Sequence, residues 1–481
     1  MRRLAGFVLV FFAALLSSCG GGGGSDPLAT TSPSVVPTAP QLVASGYPGE
    51  AASCTLAGQK LWLDAYMADQ YFWTADRPAP NAAAATLDAY FQSQLFLPTD
   101  RYSYSQEIVQ YSQFASDATR TGYGYSMAFP DSTQAKLLVR VVEPLGPAAA
   151  AGLQRGDTVL AIDGFSPTDI VNGSLTTVTA RGIARTFTIE TVAGVTRTIN
   201  MVSRNFLLSP VLTDKVLTAA NGAKVGYLAY QDFSTSSLSA LGASFNRFRA
   251  AGVTELIVDL RYNGGGSVTV ARALASLIGG AALDGNIFAS IRYNALNKAS
   301  DFDYAFSSTR ATLPTLPLEG LTQVFFITSP ITASASELVV NSLFPFKNVI
   351  TIGATTFGKP FGFQPRGTCD TVYNVVNFET FNAVGAGRFT SGLPATCTVA
   401  DDLSKALGDP TERRTAAALG YIQTKTCPTV AATAAGNLVA NGQDDPLNTS
   451  GRARTATSSV SNQRNTEPAF GEVNPPRMIA D

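Results

Sequence analysis

"ELIVDLRYNGGGSVTVARALASLIGG", residues 255–280, decides the fold. "ELIVDLR" reads as a buried strand, three glycines follow, and "SVTVARALASLIGG" reads as a helix. The same alternation continues on both sides. Upstream, "KVGYLAYQDF" (224–233) is a strand and "SSLSALGASFNRFRAAG" (236–252) a helix ending at Gly252. Downstream come a strand "TQVFFITS" (322–329), a helix "ASELVVNSLF" (335–344) and a strand "NVITIGA" (348–354). Strands that alternate with helices pair in parallel, which predicts an α/β layer. Such layers bind ligands at the carboxyl ends of their strands.

Three segments fall at those ends. In "DLRYNGGG" (259–266) the glycines free the backbone to present N–H groups to an anion. "ITASASELVVNSLFPF" (331–346) carries Thr332, Ser334, Ser336 and Glu337 just before an apolar run. Ser334 and Glu337 fit a capping box, and a helix N-terminus also favours a developing oxyanion. "TTFGKPFGFQ" (355–364) sets Lys359 among Phe357, Gly358, Pro360 and Phe361. Apolar surroundings disfavour an ammonium, so they lower a lysine's pKa. The chain has no histidine. That excludes Ser-His-Asp and Cys-His catalysis and histidine-ligated zinc, and it leaves lysine as the plausible base for a serine. Serine, glycine turn and lysine are a nucleophile, an oxyanion hole and a base, the parts acyl transfer needs.

"DLRYNGGG", "TASASE" and "TTFGKPFG", in that order, resemble the C-terminal-processing (tail-specific) serine peptidases, which use a Ser-Lys dyad. The resemblance runs from about residue 102 to 427. It implies a ClpP/crotonase-like α/β catalytic domain, with Ser334 as nucleophile and Lys359 as general base. It implies oxyanion donors at Ala335 and at Gly264 or Gly265, and no metal or organic cofactor. Many members carry a glutamine four places after the lysine. Phe363 stands there, so Gln364 is the candidate third member. That displacement supports an alternative, a catalytically silent periplasmic peptide-binding or scaffold lipoprotein. A Ser-Lys hydrolase of non-peptide esters or amides is a third reading.

Between residues 121 and 204 the pattern changes to short β-branched runs, "KLLVRVV", "TVLAID", "RTFTIET" and "TRTINMV", separated by turns. "TGYGYSM" and "VVEPLGPAAAAGLQRGDTVLAIDG" resemble a PDZ domain. Gly122, Tyr123, Gly124 and Tyr125 correspond to its carboxylate-binding loop, which implies peptide or protein substrates recognised through their C-termini.

The chain opens "MRRLAGFVLVFFAALLSSCGGGGGSDP". Two arginines and a 13-residue apolar stretch read as an export signal, too short for a membrane span. "LSSC" resembles a lipobox, implying lipidation of Cys19 and anchorage in a bacterial envelope, at the outer membrane facing the periplasm. Four cysteines remain, Cys54, Cys369, Cys397 and Cys427, and an even number in an oxidising compartment predicts two disulfides. Sequence proximity favours Cys369–Cys397, leaving Cys54–Cys427. With 34 basic and 35 acidic residues and no basic run interleaved with aromatics, nucleic acid is not an expected partner.

These readings divide the chain into a signal peptide (1–18), a tether (19–48), a small helical domain (49–112), a PDZ-like module (113–204), the catalytic domain (205–427) and a disordered tail (428–481).

Overall fold

The computed structural model describes residues 49–108, 111, 119–129, 136–175, 178, 180–309, 313–428 and 477–479. The signal, the tether and Cys19 lie outside the described residues. Among the described residues no helix is long and apolar enough to cross a membrane.

The α/β layer is a six-stranded sheet. Its spatial order is Cys397–Thr398, Asn348–Gly353, Gln323–Thr328, Glu255–Asp259, Lys224–Tyr230 and Val211–Thr218. The first five are parallel, as the alternation predicts, and Val211–Thr218 closes the edge antiparallel. The strands obey the period of two. Leu228, Leu256, Val258, Val324 and Phe326 turn to one face, under the helices Ser237–Ala250, Val268–Gly279 and Ala335–Leu343. Tyr227, Ile257, Phe325, Ile327, Ile350 and Ile352 turn to the other, against the helix Arg413–Thr424. Both faces are covered, which is why these strands read as continuous apolar runs.

The β-rich module is an antiparallel five-stranded sheet in the order Tyr125–Ala128, Leu137–Val142, Thr158–Ile162, Ala184–Glu190 and Thr196–Val202. It has its own core around Met127, Val139, Val159, Phe187 and Ile189. Tyr125–Ala128 is an edge strand of this sheet.

Three features differ from the sequence reading. The N-terminal helices, Leu56–Gln70 and Leu87–Gln92, share a core with Tyr373 and Val375, which follow the strand Asn348–Gly353 in sequence. Strand Tyr104–Glu107 pairs antiparallel with Thr371–Asn374, so this region is a buttress rather than a free-standing domain. The disulfides are Cys54–Cys369 and Cys397–Cys427, not Cys369–Cys397 and Cys54–Cys427. The cause is the buttress: Cys369 sits in the turn between Arg366–Thr368 and Thr371–Asn374, the sheet that Tyr104–Glu107 joins. Finally, part of the expected disordered tail, Arg477–Ile479, is a strand.

Candidate active site

Three neighbouring parallel strands end at Asp259, Thr328 and Gly353. The glycine loop, Ser334 and Lys359 follow them directly, so adjacency in the sheet brings the three segments to one edge. The loops are then bonded to each other. Asn263 is fully buried and makes most of the first junction. Its carbonyl accepts from Ala333 N–H (3.1 Å) and Ser336 Oγ (3.1 Å), and its Nδ2 donates to Tyr230 O (3.0 Å). Thr332 makes the second: its Oγ1 donates to Leu260 O (2.7 Å), and its carbonyl accepts from Phe357 N–H (2.9 Å).

Ser334 is held at φ 62°, ψ −116°, a conformation a non-glycine residue adopts at a cost of about 1–3 kcal/mol. Half of the expected capping box is present. Glu337 accepts from Ser334 N–H at 2.8 Å, but Ser334 Oγ does not return a bond to the helix. That hydroxyl is buried and has no hydrogen-bond partner among the described residues.

Glu337 instead joins the two candidate catalytic segments. One carboxylate oxygen accepts from Ser334 N–H and from Lys359 N–H, both at 2.8 Å. The other accepts from Gly358 N–H at 2.7 Å and from Thr356 Oγ1. The residue is fully buried and has no cation among these partners. Burial pushes its carboxyl above the usual carboxylate range, against the pull of its four donors, Thr356, Lys359, Ser334 and Gly358. Sequence reading placed Glu337 only as a cap partner; its role as a bridge depends on a contact across 22 residues. Asn263 was missed altogether, and its one sequence signal is a polar residue inside the strand-to-glycine turn.

Lys359 is buried, with Nζ 4.1 Å from the centroid of the Phe363 ring. Phe363 thus lies against the amine. Gln364, the candidate third member, is turned elsewhere: its Nε2 donates to Tyr293 Oη at 3.2 Å. The buttress grips the lysine segment from outside. Tyr102 Oη donates to Gly358 O (2.7 Å) and Arg101 Nη2 to Phe357 O (2.9 Å). Phe361 packs among Phe72, Trp73 and Tyr102.

The two glycines offered as oxyanion donors are not equivalent. Gly265 N–H is taken by Asn263 Oδ1 at 2.8 Å. The N–H groups of Gly264 and Ala335 have no such bond among the described residues. Gly266, at φ +143°, passes so close to Phe233 that a Cβ there would meet its carbonyl oxygen at 2.7 Å, so only glycine fits.

In the β-rich module, Gly122 and Gly124 have φ +154° and +76° on either side of the buried Tyr123, and Tyr125 begins the edge strand. Tyr123 O and Gly124 O are already bonded, to Ala148 N–H (2.8 Å) and Glu143 N–H (2.9 Å). The module meets the α/β layer through Arg155. Its guanidinium donates to Tyr262 Oη (2.7 Å), Asp401 Oδ1 (3.1 Å) and Lys405 O (3.0 Å). Tyr262 lies within the glycine loop, two residues before Gly264.

Residues 224–382 match the family model described as Peptidase family S41. A carboxyl-terminal-processing protease of Picosynechococcus is 31% identical over 230 residues, covering 46% of this chain and 51% of that one. The chloroplastic carboxyl-terminal-processing peptidase 2 of Arabidopsis thaliana is 27% identical over 247 residues, 50% of this chain and 45% of that one. The chain thus spans about half the length of these curated relatives. A crystal structure described as an S41 protease, from Bacteroides fragilis NCTC 9343, aligns with TM-score 0.65 at 26% identity, over 76% of this chain and 97% of that one. The stretch that holds the glycine loop, Ser334 and Lys359 is therefore a peptidase family S41 domain, homologous to carboxyl-terminal-processing proteases.

Proposed function

We propose that this chain is a serine endopeptidase of the C-terminal-processing type, in which Lys359 activates Ser334. The observation that carries the reading is Glu337, whose carboxylate binds the backbone N–H of both residues and so fixes their segments together. Neutral Lys359 Nζ takes the proton from Ser334 Oγ as the oxygen bonds to the substrate carbonyl carbon. The oxyanion accepts from the N–H groups of Gly264 and Ala335, which the fold leaves available. The C–N bond then breaks, and the leaving amine takes the proton from Lys359. Water, deprotonated by Lys359 Nζ, attacks the acyl carbon; the ester C–O bond breaks, and Ser334 Oγ takes the proton back from Lys359.

The PDZ-like module would present substrate chain ends, with the Tyr125–Ala128 edge as the place where a peptide strand adds. Cys19 would carry the lipid that holds the enzyme in the bacterial envelope. Gln364 has no part in this scheme.

The test is labelling by a fluorophosphonate probe together with cleavage of a fluorogenic peptide. Ser334→Ala abolishes both, and Lys359→Ala lowers both by at least ~10²-fold, while each variant keeps its folded circular-dichroism spectrum. Labelling that survives Ser334→Ala defeats the assignment. A wild-type chain that binds peptides but neither labels nor cleaves favours the silent scaffold instead.

A further inference from the structure

The strand Arg477–Ile479 pairs in parallel with Gly265–Ser267, setting Arg477 opposite Gly265, Met478 opposite Gly266 and Ile479 opposite Ser267. Gly265–Ser267 is the strand that leaves the oxyanion loop. Its other edge is filled by Phe233, whose N–H donates to Gly265 O (3.1 Å) and whose carbonyl accepts from Ser267 N–H (2.9 Å). The edge taken by Arg477–Ile479 is therefore the one that remains for an added strand. The same segment lies against Phe361–Gly362, which begins two residues after Lys359. It thus runs between the glycine side and the lysine side of the candidate site. An extended peptide that pairs by its main chain needs only such an edge, since backbone hydrogen bonds supply the affinity.

We infer that the segment bearing Arg477–Ile479 is an intramolecular strand that occupies the peptide-binding edge beside Ser334 and competes with substrate for it. The inference rests on the peptidase reading of Ser334. Residues 429–476 connect this strand to the last helix of the α/β layer. An extended chain reaches ~3.5 Å per residue, so that length can bring the segment back to the site. A tethered strand is present at an effective concentration on the order of mM, which a free peptide substrate must exceed.

The test compares the full chain with the same chain carrying Met478→Pro and Ile479→Pro. In a strand, consecutive N–H groups point to opposite sides, so two adjacent prolines remove whichever one faces Gly265–Ser267. Three readouts are taken: hydrogen exchange of the amides in residues 263–269, fluorophosphonate labelling rate, and kcat/KM on a fluorogenic peptide. The inference expects faster exchange in the variant, with labelling rate and kcat/KM both raised about ten-fold or more. Unchanged exchange overturns the docking. Faster exchange with unchanged labelling and turnover overturns the competition. If both chains are inert and exchange is still faster in the variant, the docking is supported and the peptidase reading fails in its place.

Discussion

Two groups of carboxylates flank the candidate site, and their environments push them in opposite directions. Glu337 accepts from three backbone N–H groups and a hydroxyl, and burial raises its pKa. Asp401 and Glu412 lie on the far side of the glycine loop, around the fully buried Arg261. Arg261 donates to Asp401 Oδ1 (2.6 Å) and to both oxygens of Glu412 (3.0 and 2.9 Å), and it is paired with Asp259 at 2.8 Å. Burial would raise Asp401 and Glu412 too. It is outweighed at Asp401 by Arg261, Arg414 and Arg155, which hold the group well below its usual range, and at Glu412 by Arg261. The contrast assigns different work to the two groups. The arginine cluster clamps the loop that carries Gly264 to the helix Arg413–Thr424 and, through Arg155, to the β-rich module. Glu337 holds the segments of Ser334 and Lys359 together through their backbone N–H groups.

The largest effect should come from breaking the cluster. Arg261→Met takes the shared cation from the buried Asp259 and Glu412 and the half-buried Asp401, and it should destabilise the protein by about 3–5 kcal/mol. The midpoint of urea unfolding measures this. Adding Glu412→Gln to that variant should recover part of the loss, because one uncompensated charge is removed. A double variant no more stable than the single one would mean that Glu412 is not held as a charge by Arg261.

Glu337→Gln comes next. An amide keeps the shape but turns its NH₂ toward one pair of N–H or hydroxyl donors, so it should cost about 1–3 kcal/mol. If Glu337 positions both segments, kcat should fall about ten-fold with KM nearly unchanged. A loss confined to KM would break that reading. The two groups also differ in the sign of their pH dependence. A raised folded pKa means that the native state holds its proton more tightly, so the Glu337 contribution falls as pH rises from the ordinary value of 4.5 through the folded value. Asp401 and Glu412 are lowered. Their contribution is in place above the ordinary values of 3.8 and 4.5 and is lost as pH falls through the folded ones. The gap between the stability–pH curves of the wild type and Glu337→Gln should therefore stay constant on the acid side and narrow as pH rises above 4.5.

What the sequence made legible was whatever depends on local pattern plus parallel pairing. Strand–helix alternation placed Ser334, the glycine loop and Lys359 after neighbouring strands, and the structure brings those three segments to one edge. The absence of histidine made lysine the expected base before any geometry was known. Relations between distant segments were not legible. Ser334 and Glu337 satisfy a capping-box spacing, but Ser334 adopts a positive φ, and no spacing rule reports φ. The cysteine pairing followed from the docking of Tyr104–Glu107 on Thr371–Asn374, which sequence proximity cannot anticipate. The strand at 477–479 pairs in parallel with Gly265–Ser267, and the polar, proline-bearing sequence that precedes it shows no strand alternation.

The smallest effect sharpens the Glu337 side of the comparison. Gly358 is fixed at both ends: its N–H donates to Glu337 (2.7 Å) and its carbonyl accepts from Tyr102 Oη (2.7 Å). Tyr102→Phe removes one neutral bond and keeps the ring that packs on Phe361, so the expected cost is about 0.5–1.5 kcal/mol. Arg101 still holds the adjacent Phe357 carbonyl, which limits how far the segment can shift. The two bonds act on one peptide unit, so their effects should not be independent. Combined with Glu337→Gln, Tyr102→Phe should lower kcat by more than the product of the single effects, because the lysine segment then loses both its inner and its outer hold. Strictly multiplicative kcat losses would mean that the buttress supports folding alone and leaves the alignment of Lys359 to Glu337.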